Sequence, residues 1–592
     1  MIPRLMWVRV MTSAAVPLNP AEEASELALS ALFRNLDSGD SFLLEAGAGA
    51  GKTYSLVKAL RYLLERDQFK LARLNQKVAC ITFTNVAKDE IEARTDRNPL
   101  IHCGTIHAFC WSLISGFQKQ LRERLPHMDH WVERIEEVGG LGERVVEYSL
   151  GYRGIDDDRV TIHHDDVLVL MIELMEIAKF RRIIAGKYPV ILIDEYQDTN
   201  VGWIDSIKTH FLGQPGSPLF GFFGDHWQKI YGDGCGRIEH PALMEIGKKA
   251  NFRSVSTIVD CLNRMRPELP QFVEDPAEIG SIQILHTNSW EGTRETGTHW
   301  RGDLPAEAAH AALGAMCGLL EEQGWDLASE STKILMLTHR VLASEQGYGS
   351  LPDIFHNNDA FARKENALIA YFVDRLEPAC NAYVANKYGD MFTALGGSHP
   401  AIGDPSDKAK WATAMDQLIE LRSEGTVGEV VTHLRQTRLP RLPDSVERRE
   451  RELDRFEGST TEEEMPTALS ELAAFRAVQY QEVVALTRYH AGHSPFETKH
   501  GVKGAQFENV IVVVGRGWNL YNFNEMLELA QDIGRIPANR QKAFERNRNL
   551  FYVVCSRPMK RLAVLFTQEL SNTAMGTVNA WFGADNVAAL VL

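Results

Sequence analysis

Short apolar runs recur along this chain, each closed by glycine or polar turn residues. They alternate with longer stretches in which apolar positions return every three or four residues. Runs of that length read as buried strands, and the longer period reads as helix. Phe42-Leu43-Leu44, Val78 to Phe83, Ile101 to Gly104, Val190 to Ile193 and Leu219 to Gly224 are the predicted strands of the first half. Ala21 to Phe33, the stretch from Ser55 and Val86 to Arg94 are predicted helices, the last capped by Thr84-Asn85. Strand alternating with helix predicts a parallel sheet whose ligands collect at the carboxyl ends of the strands. Residues 116–185 break this rhythm. They are charged and predicted to be helical throughout, with a break at Gly139-Gly140 between Trp131–Val138 and Leu141–Tyr148, and one longer helix over Val167 to Arg182. His163-His164-Asp165-Asp166 reads as a turn in which Asp165 or Asp166 caps that helix, rather than as a metal cluster.

The second half repeats the plan. Ser281 to His286 and Lys333 to Thr338 read as strands, separated by a polar loop and a helix over Ala306 to Glu322. From about 350 to 490 the pattern is again helical, with a proline-marked break at Leu439-Pro440-Arg441-Leu442-Pro443. Within it, Glu447 to Glu452 mixes charges at helical spacing and reads as a solvated face. A strand at Val510 to Val514 restores the α/β pattern, and a basic segment follows with Arg540, Lys542, Arg546, Arg548 and Arg557.

Composition narrows the class. At 592 residues, 44% hydrophobic and 24% charged, the chain is long enough for three or four domains and has ordinary globular composition. No apolar run reaches the ~18 residues of a membrane span, and Arg9 interrupts the apolar start, so a cytoplasmic protein is predicted. Eight cysteines without a Cys-x-x-Cys pair read as reduced, mostly buried thiols. A net charge of −16 argues against whole-surface binding to nucleic acid and leaves room for a local basic track.

The candidate chemistry starts at Ala46-Gly47-Ala48-Gly49-Ala50-Gly51-Lys52-Thr53, between a strand and a helix. Small residues there let backbone N–H groups close around phosphates, with Lys52 reaching the β and γ phosphates and Thr53 offering its hydroxyl to Mg²⁺. The strand Val190 to Ile193 ends in Asp194 and Glu195. Acids at that place suit a metal and an attacking water: Asp194 would hold the shell of Mg²⁺, and Glu195 would orient and deprotonate the water. Gln228, just past another strand end, could hydrogen-bond the γ-phosphate or that water.

In order along the chain these motifs, with Thr82-Phe83-Thr84-Asn85, Gly104 to Phe109, Ile193 to Thr199, Gly224 to Gly232, Asn251-Phe252-Arg253-Ser254, Thr498 to Phe507 and Tyr552 to Arg557, resemble those of the superfamily 1 DNA helicases of the UvrD/Rep/PcrA group. The resemblance implies two RecA-like P-loop lobes with parallel sheets, each with a helical insertion, and ATP between them. It implies a first lobe over 1–115 and 186–265, its insertion over 116–185, a second lobe over 266–349 and 491–592, and its insertion over 350–490. It implies catalytic roles for Lys52, Glu195, Gln228, Arg253 and Arg557, nucleotide contacts from Ala46 to Thr53, Phe252 stacking on adenine and Gln506 at the ribose. It implies contacts to single-stranded DNA from Phe83, His107, Tyr231, His500 and Lys503. No nuclease domain is expected after Arg557.

Four departures accompany the resemblance. Glu22 stands where the family has an adenine-reading glutamine. Asp233 stands where a tryptophan is expected. Gln506 replaces a glutamate, and Ser556 a threonine. Two functions follow: a motor moving 3′ to 5′ on single-stranded DNA with ATP and Mg²⁺, or a nucleic-acid-gated ATPase subunit that acts on a partner nuclease. Compact chains of this layout are similar to those found beside nucleases in anti-phage systems of the Gabija kind.

Overall fold

The computed structural model describes residues 18–592 apart from 150–152, 231, 233, 298–300, 329, 337–342, 344–345, 356–358, 363, 397–401, 458–464, 492–495, 499–504 and 516–520. The chain divides into two compact units. One runs to Ser281 and includes Arg548–Lys560; the other comprises Ile282–Asn547 and Arg561–Leu592.

The first unit is built on a six-stranded sheet. Its strands are β1 (Phe42–Ala46), β2 (Val78–Thr82), β3 (Ile101–Thr105), β7 (Val190–Asp194), β8 (Leu219–Gly224) and β9 (Met244–Lys248), in the order β3-β2-β7-β8-β1-β9. Every pairing is parallel, as is that of the separate short strands β10 (Ala250–Asn251) and β11 (Phe272–Val273). Successive side chains of a strand point to opposite faces, and both faces here are covered. Leu43, Ala79, Ile81, Ile191, Ile193 and Phe222 share one core, and Phe42, Leu44, Val78, Cys80, Leu192 and Phe223 share the other. Burial on both sides is why these strands read as unbroken apolar runs. Helices α1 (Pro20–Ser38) and α2 (Lys52–Leu74) contribute Leu32, Leu36, Leu56, Leu60 and Leu63 to the second core.

The insertion departs from expectation in three places. It is not wholly helical: β4 (Val145–Tyr148), β5 (Gly154–Ile155) and β6 (Arg159–Ile162) form a small sheet in the order β4-β6-β5. Val146 is buried between exposed neighbours, so Leu141–Tyr148 carries a strand's two-residue alternation inside a charged stretch. The β-branched residues Val145, Val146, Val160, Thr161 and Ile162 favour that form. The expected helix Val167–Arg182 is two helices, His164–Met175 and Ala178–Lys187. Ile177 is extended between them, and Arg181 donates to the Met175 and Glu176 carbonyls that the break frees. His163, rather than an aspartate, occupies the cap position, with Asp166 completing the cap by accepting from the His163 N–H at 2.9 Å.

The second unit has a six-stranded sheet in the order β14-β13-β15-β16-β12-β17, formed by β12 (Ser281–His286), β13 (Thr332–Met336), β14 (Phe496–Thr498), β15 (Phe507–Val514), β16 (Pro558–Phe566) and β17 (Val587–Ala589). β13 pairs in parallel with β14 and β15, and β12 with β17. The helix Ala306–Glu322 packs its Ala312, Leu313, Met316 and Leu320 on this sheet. A helical insertion follows β13 and includes Pro405–Glu424, Val427–Thr437, Asp444–Glu457, Thr467–Arg476 and Tyr480–His490. In Asp444–Glu457 the face read as solvated is exposed at Arg448, Arg449 and Arg451, but Glu450 turns inward and pairs with Arg476. Among the described residues no helix is long and apolar enough to cross a membrane.

Candidate nucleotide site and nucleic-acid face

Register brings the candidate residues to one rim. Leu44 of β1 and Asp194 of β7 both pair with Phe223 of the strand between them, and Glu45 pairs with Gly224. The loop after β1, the acids after β7 and the segment after β8 therefore emerge side by side, about 4.8 Å from strand to strand.

The loop is shaped by close approach. Gly49 adopts φ +74°, and a Cβ there would come within 2.8 Å of both Asn251 Oδ1 and the Arg253 side chain. The Ala48 carbonyl accepts from Asn251 Nδ2 and Gln271 Nε2, each at 3.0 Å. Ala46, Ala48 and Ala50 are buried, so only small residues fit. No side chain caps α2, and the amides of its first turn are left for an anion.

Lys52 Nζ lies 3.5 Å from Glu195 Oε1. Glu195 adopts φ +49°, a left-handed turn that ends β7. Gln197 donates to Glu195 and to Asp198, and its carbonyl oxygen accepts from the Asp225 N–H at 3.0 Å, so one carboxamide ties the two strand ends together. Asp194 is buried at the carboxyl end of β7. Thr53 and Asp194 offer only oxygen donors, the hard-ligand set that Mg²⁺ takes. A second acidic group, Glu45, Asp225 and His226, is close enough to share a cation, but Arg266 is the cation it holds. Arg266 donates to Asp225 at 2.6 Å and reaches Glu45 at 3.4 Å. Burial alone would raise the Asp225 carboxyl, and Arg266, Lys52, His226 and the Gln228 amide together hold it below its ordinary value.

Gln228 Nε2 donates to Asp225 Oδ2 at 2.8 Å, and Gln228 Oε1 accepts from Arg557 at 3.2 Å. Arg557 is 1% exposed; burial, and then the charge of Arg253, pulls it down to about 9. Arg253 donates to the Ser556 carbonyl at 2.9 Å, its Nε has no hydrogen-bond partner among the described residues, and burial lowers it as well. The two guanidiniums repel each other, and the charges of Glu195 and Asp225 act on Arg557 in the opposite sense. Phe252, 37% exposed, presents a ring beside Gly51. Gln506 is exposed just before β15, in the second unit.

The expected nucleic-acid residues divide. Phe83 is exposed, and His107 stacks on His164 of the insertion with ring centres 3.2 Å apart. Both border a cavity of about 180 Å³, also lined by Thr82, Asp194, Thr199 and Asn200. Burial, and then His164, lowers His107 to about 4, so this face offers rings and little positive charge. Tyr231, His500 and Lys503, like Asp233, lie outside the described residues.

Several residues of the rim carried no signal in a linear reading. Gln271 and Lys248 become neighbours of the loop, and Arg266 of Glu45 and Asp225, only through the fold. Asn251 opens the Asn251–Ser254 motif, and its role as a brace for Ala48 follows from the fold alone.

Residues 33–138 and 143–234 match the model of the UvrD/REP helicase N-terminal domain. The chain is 22% identical to the Gabija protein GajB of Bacillus cereus (strain HuB5-5), over 95% of this chain and 97% of that protein. It is also 22% identical to the ATP-dependent DNA helicase PcrA of Staphylococcus epidermidis, over 40% of each chain. To PcrA of Staphylococcus aureus (strain Mu50) it is 23% identical, over 38% of this chain and 37% of that protein. The first unit thus carries a UvrD/REP-type domain, and the chain resembles the superfamily 1 helicases.

Proposed function

We propose that this chain is an ATP-dependent DNA helicase or translocase of the UvrD type, drawing single-stranded DNA 3′ to 5′. The observation that carries this reading is the pairing of Lys52 with a held Glu195 on a rim that also gathers Asp194, Gln228, Arg253 and Arg557. Lys52 and the open amides of α2 would bind the phosphates. Thr53 and Asp194 would hold Mg²⁺, which when bound neutralises charge on the β and γ oxygens. Glu195, released from Lys52 as the phosphates take that lysine, would orient the attacking water and accept its proton. Arg253 and Arg557 would meet the charge that develops on the γ-phosphate, and Phe252 would stack on the base. The Asp225–Gln228–Arg557 chain would report phosphate state toward the face where Phe83, His107 and Tyr231 hold bases by stacking. His500, Lys503 and Gln506 would complete the tracks of DNA and ribose.

A second reading has its own support. Likeness to GajB runs over nearly the whole of both chains, whereas likeness to PcrA covers two fifths or less. That favours a nucleic-acid-gated ATPase that acts in the cytoplasm, in anti-phage defence, on a partner nuclease.

ATP hydrolysis by the purified chain, with and without single-stranded DNA, tests the common part. Glu195→Gln is expected to bind ATP and lose at least ~10²-fold in turnover, and Lys52→Ala to lose binding and turnover together. Ordinary turnover in either variant would remove the proposal. Strand displacement by the isolated chain separates the readings: a motor displaces a strand alone, and a gated subunit hydrolyses ATP without doing so.

A further inference from the structure

Lys248 is the last residue of β9, an edge strand, and its register partner is Ala46, the first residue of the phosphate loop. Its ammonium is fully buried. It donates to the Gly51 carbonyl at 3.1 Å and to Ser55 Oγ at 2.8 Å, and it lies 5.5 Å from the centre of the Tyr54 ring and 5.9 Å from that of Phe252. Among the described residues no carboxylate comes within ion-pair distance, and Glu26 of α1 acts on it only through its field. Burial lowers it to about 8.

A buried cation without a counter-ion is expensive, and the two ring faces offset only part of the cost. What the arrangement gains is at the loop. The Gly51 carbonyl also accepts from the Ser55 N–H at 3.2 Å and from Ser55 Oγ at 3.4 Å. Three donors on one carbonyl fix the plane of the Gly51–Lys52 peptide, and so the direction in which the Lys52 N–H points. Gly51 itself, at φ +75°, has Lys248 Nζ, Tyr54 and Phe252 as the nearest neighbours of any Cβ built on it. The charge therefore sits under the end of the loop that faces the α and β phosphates, next to the ring offered to the base.

We propose that Lys248 is a second lysine of the nucleotide site, a positioning residue that acts from beneath the loop and whose missing counter-charge is the α,β-diphosphate of the bound nucleotide. This rests on the reading of the loop as a nucleoside triphosphate site. It adds that Lys248 serves diphosphate and triphosphate equally, in contrast to Arg253 and Arg557, which are assigned to the γ-phosphate.

The test is calorimetric binding of MgADP and of a non-hydrolysable ATP analogue to the full chain and to Lys248→Met, with the thermal midpoint of each unliganded protein. Methionine keeps the unbranched stem and removes the charge. Both ligands are expected to bind about tenfold more weakly, by the same factor, as a unit charge acting over several ångströms through protein requires. The unliganded midpoint is expected to hold or rise, because an uncompensated buried charge has gone. Unchanged affinity for both ligands would overturn the inference, as would a loss confined to the ATP analogue. Weaker binding with a lower unliganded midpoint would reduce Lys248 to a packing residue and overturn it too. If the unaltered chain binds neither nucleotide, the reading of the loop itself fails. If it binds both and Lys248→Met matches it, only the role of Lys248 fails.

Discussion

The two insertions look alike in sequence and are built differently. In the first unit the described residues of the insertion share the core of the sheet: Trp131, Val146, Val160 and Ile162 belong to the same buried cluster as Ile191, Ile193 and Phe220. In the second unit the insertion encloses a separate core, with Phe372, Leu434, Phe475 and Tyr480 at its centre, while Leu313, Met316, Ile511 and Ala563 form the core of the sheet. Regions that share a core open together, and regions with separate cores can open one at a time. The first insertion is thus bound to the strands that carry Asp194 and Glu195, and it delivers His164 onto His107. The second keeps its core apart from that of its sheet, with Tyr489 packed against both.

The sharpest way to break this contrast is Asp166→Ala. Asp166 is 1% exposed, accepts from Trp131 Nε1 at 3.2 Å and from Arg153 at 2.9 Å, and closes the first turn of its helix. Its loss leaves the buried Trp131 N–H unpaired and opens the helix cap, and is expected to cost about 3–4 kcal/mol. Because the core is shared, hydrogen exchange should quicken in β7 as well as in the insertion, and ATP hydrolysis should fall with it. Protection of β7 that survives would mean that the insertion opens alone. Phe475→Ala, expected to cost about 3–4 kcal/mol, is the counterpart. Faster exchange should stay within the second insertion and leave DNA-independent hydrolysis within about twofold; exchange that spreads into β13 and β15 would erase the difference between the insertions.

The mildest test uses acid. His107 titrates near 6.5 when unfolded and at about 4 when folded, held down by burial and then by His164, with His163 adding to the effect and Asp165 opposing it. Between those values the unfolded chain binds more protons, so stability falls as the pH drops from about 6.5 to about 4. His107→Gln is expected to flatten part of that fall in the midpoint of the first unit, with His164 and His102, also lowered by burial, contributing further. An unchanged slope would show that the stacked pair carries no such linkage.

The parts of the site legible in the sequence are those whose chemistry is contiguous: the loop from Ala46 to Thr53 with its strand and helix, and the acids ending β7; of the fold outside the site, the helix Ala306–Glu322 was legible from its apolar spacing. What escaped is contributed across the fold. Lys248 stands in a short strand and looks solvated until register sets it beside Ala46. Arg266 follows a helix and meets Asp225 only in three dimensions. The strands β4 and β6 were hidden by their charged neighbours, since a four-residue alternation is too short to outweigh composition. The split at Ile177 leaves apolar spacing on both sides nearly continuous, so periodicity alone passes over it.

Asn19 and Glu22 close the first turn of α1 on each other, each backbone N–H held by the other's side chain at 3.0 and 2.9 Å. The resemblance to the UvrD group implies that Glu22 stands where those helicases keep an adenine-reading glutamine, and here it is engaged in holding its own helix together. A purine seeking its carboxylate would have to displace a cap worth about 1 kcal/mol. With ring stacking left as the main grip, the chain should run on GTP nearly as well as on ATP, and parallel rates with the two triphosphates would reveal a motor indifferent to the letter it consumes.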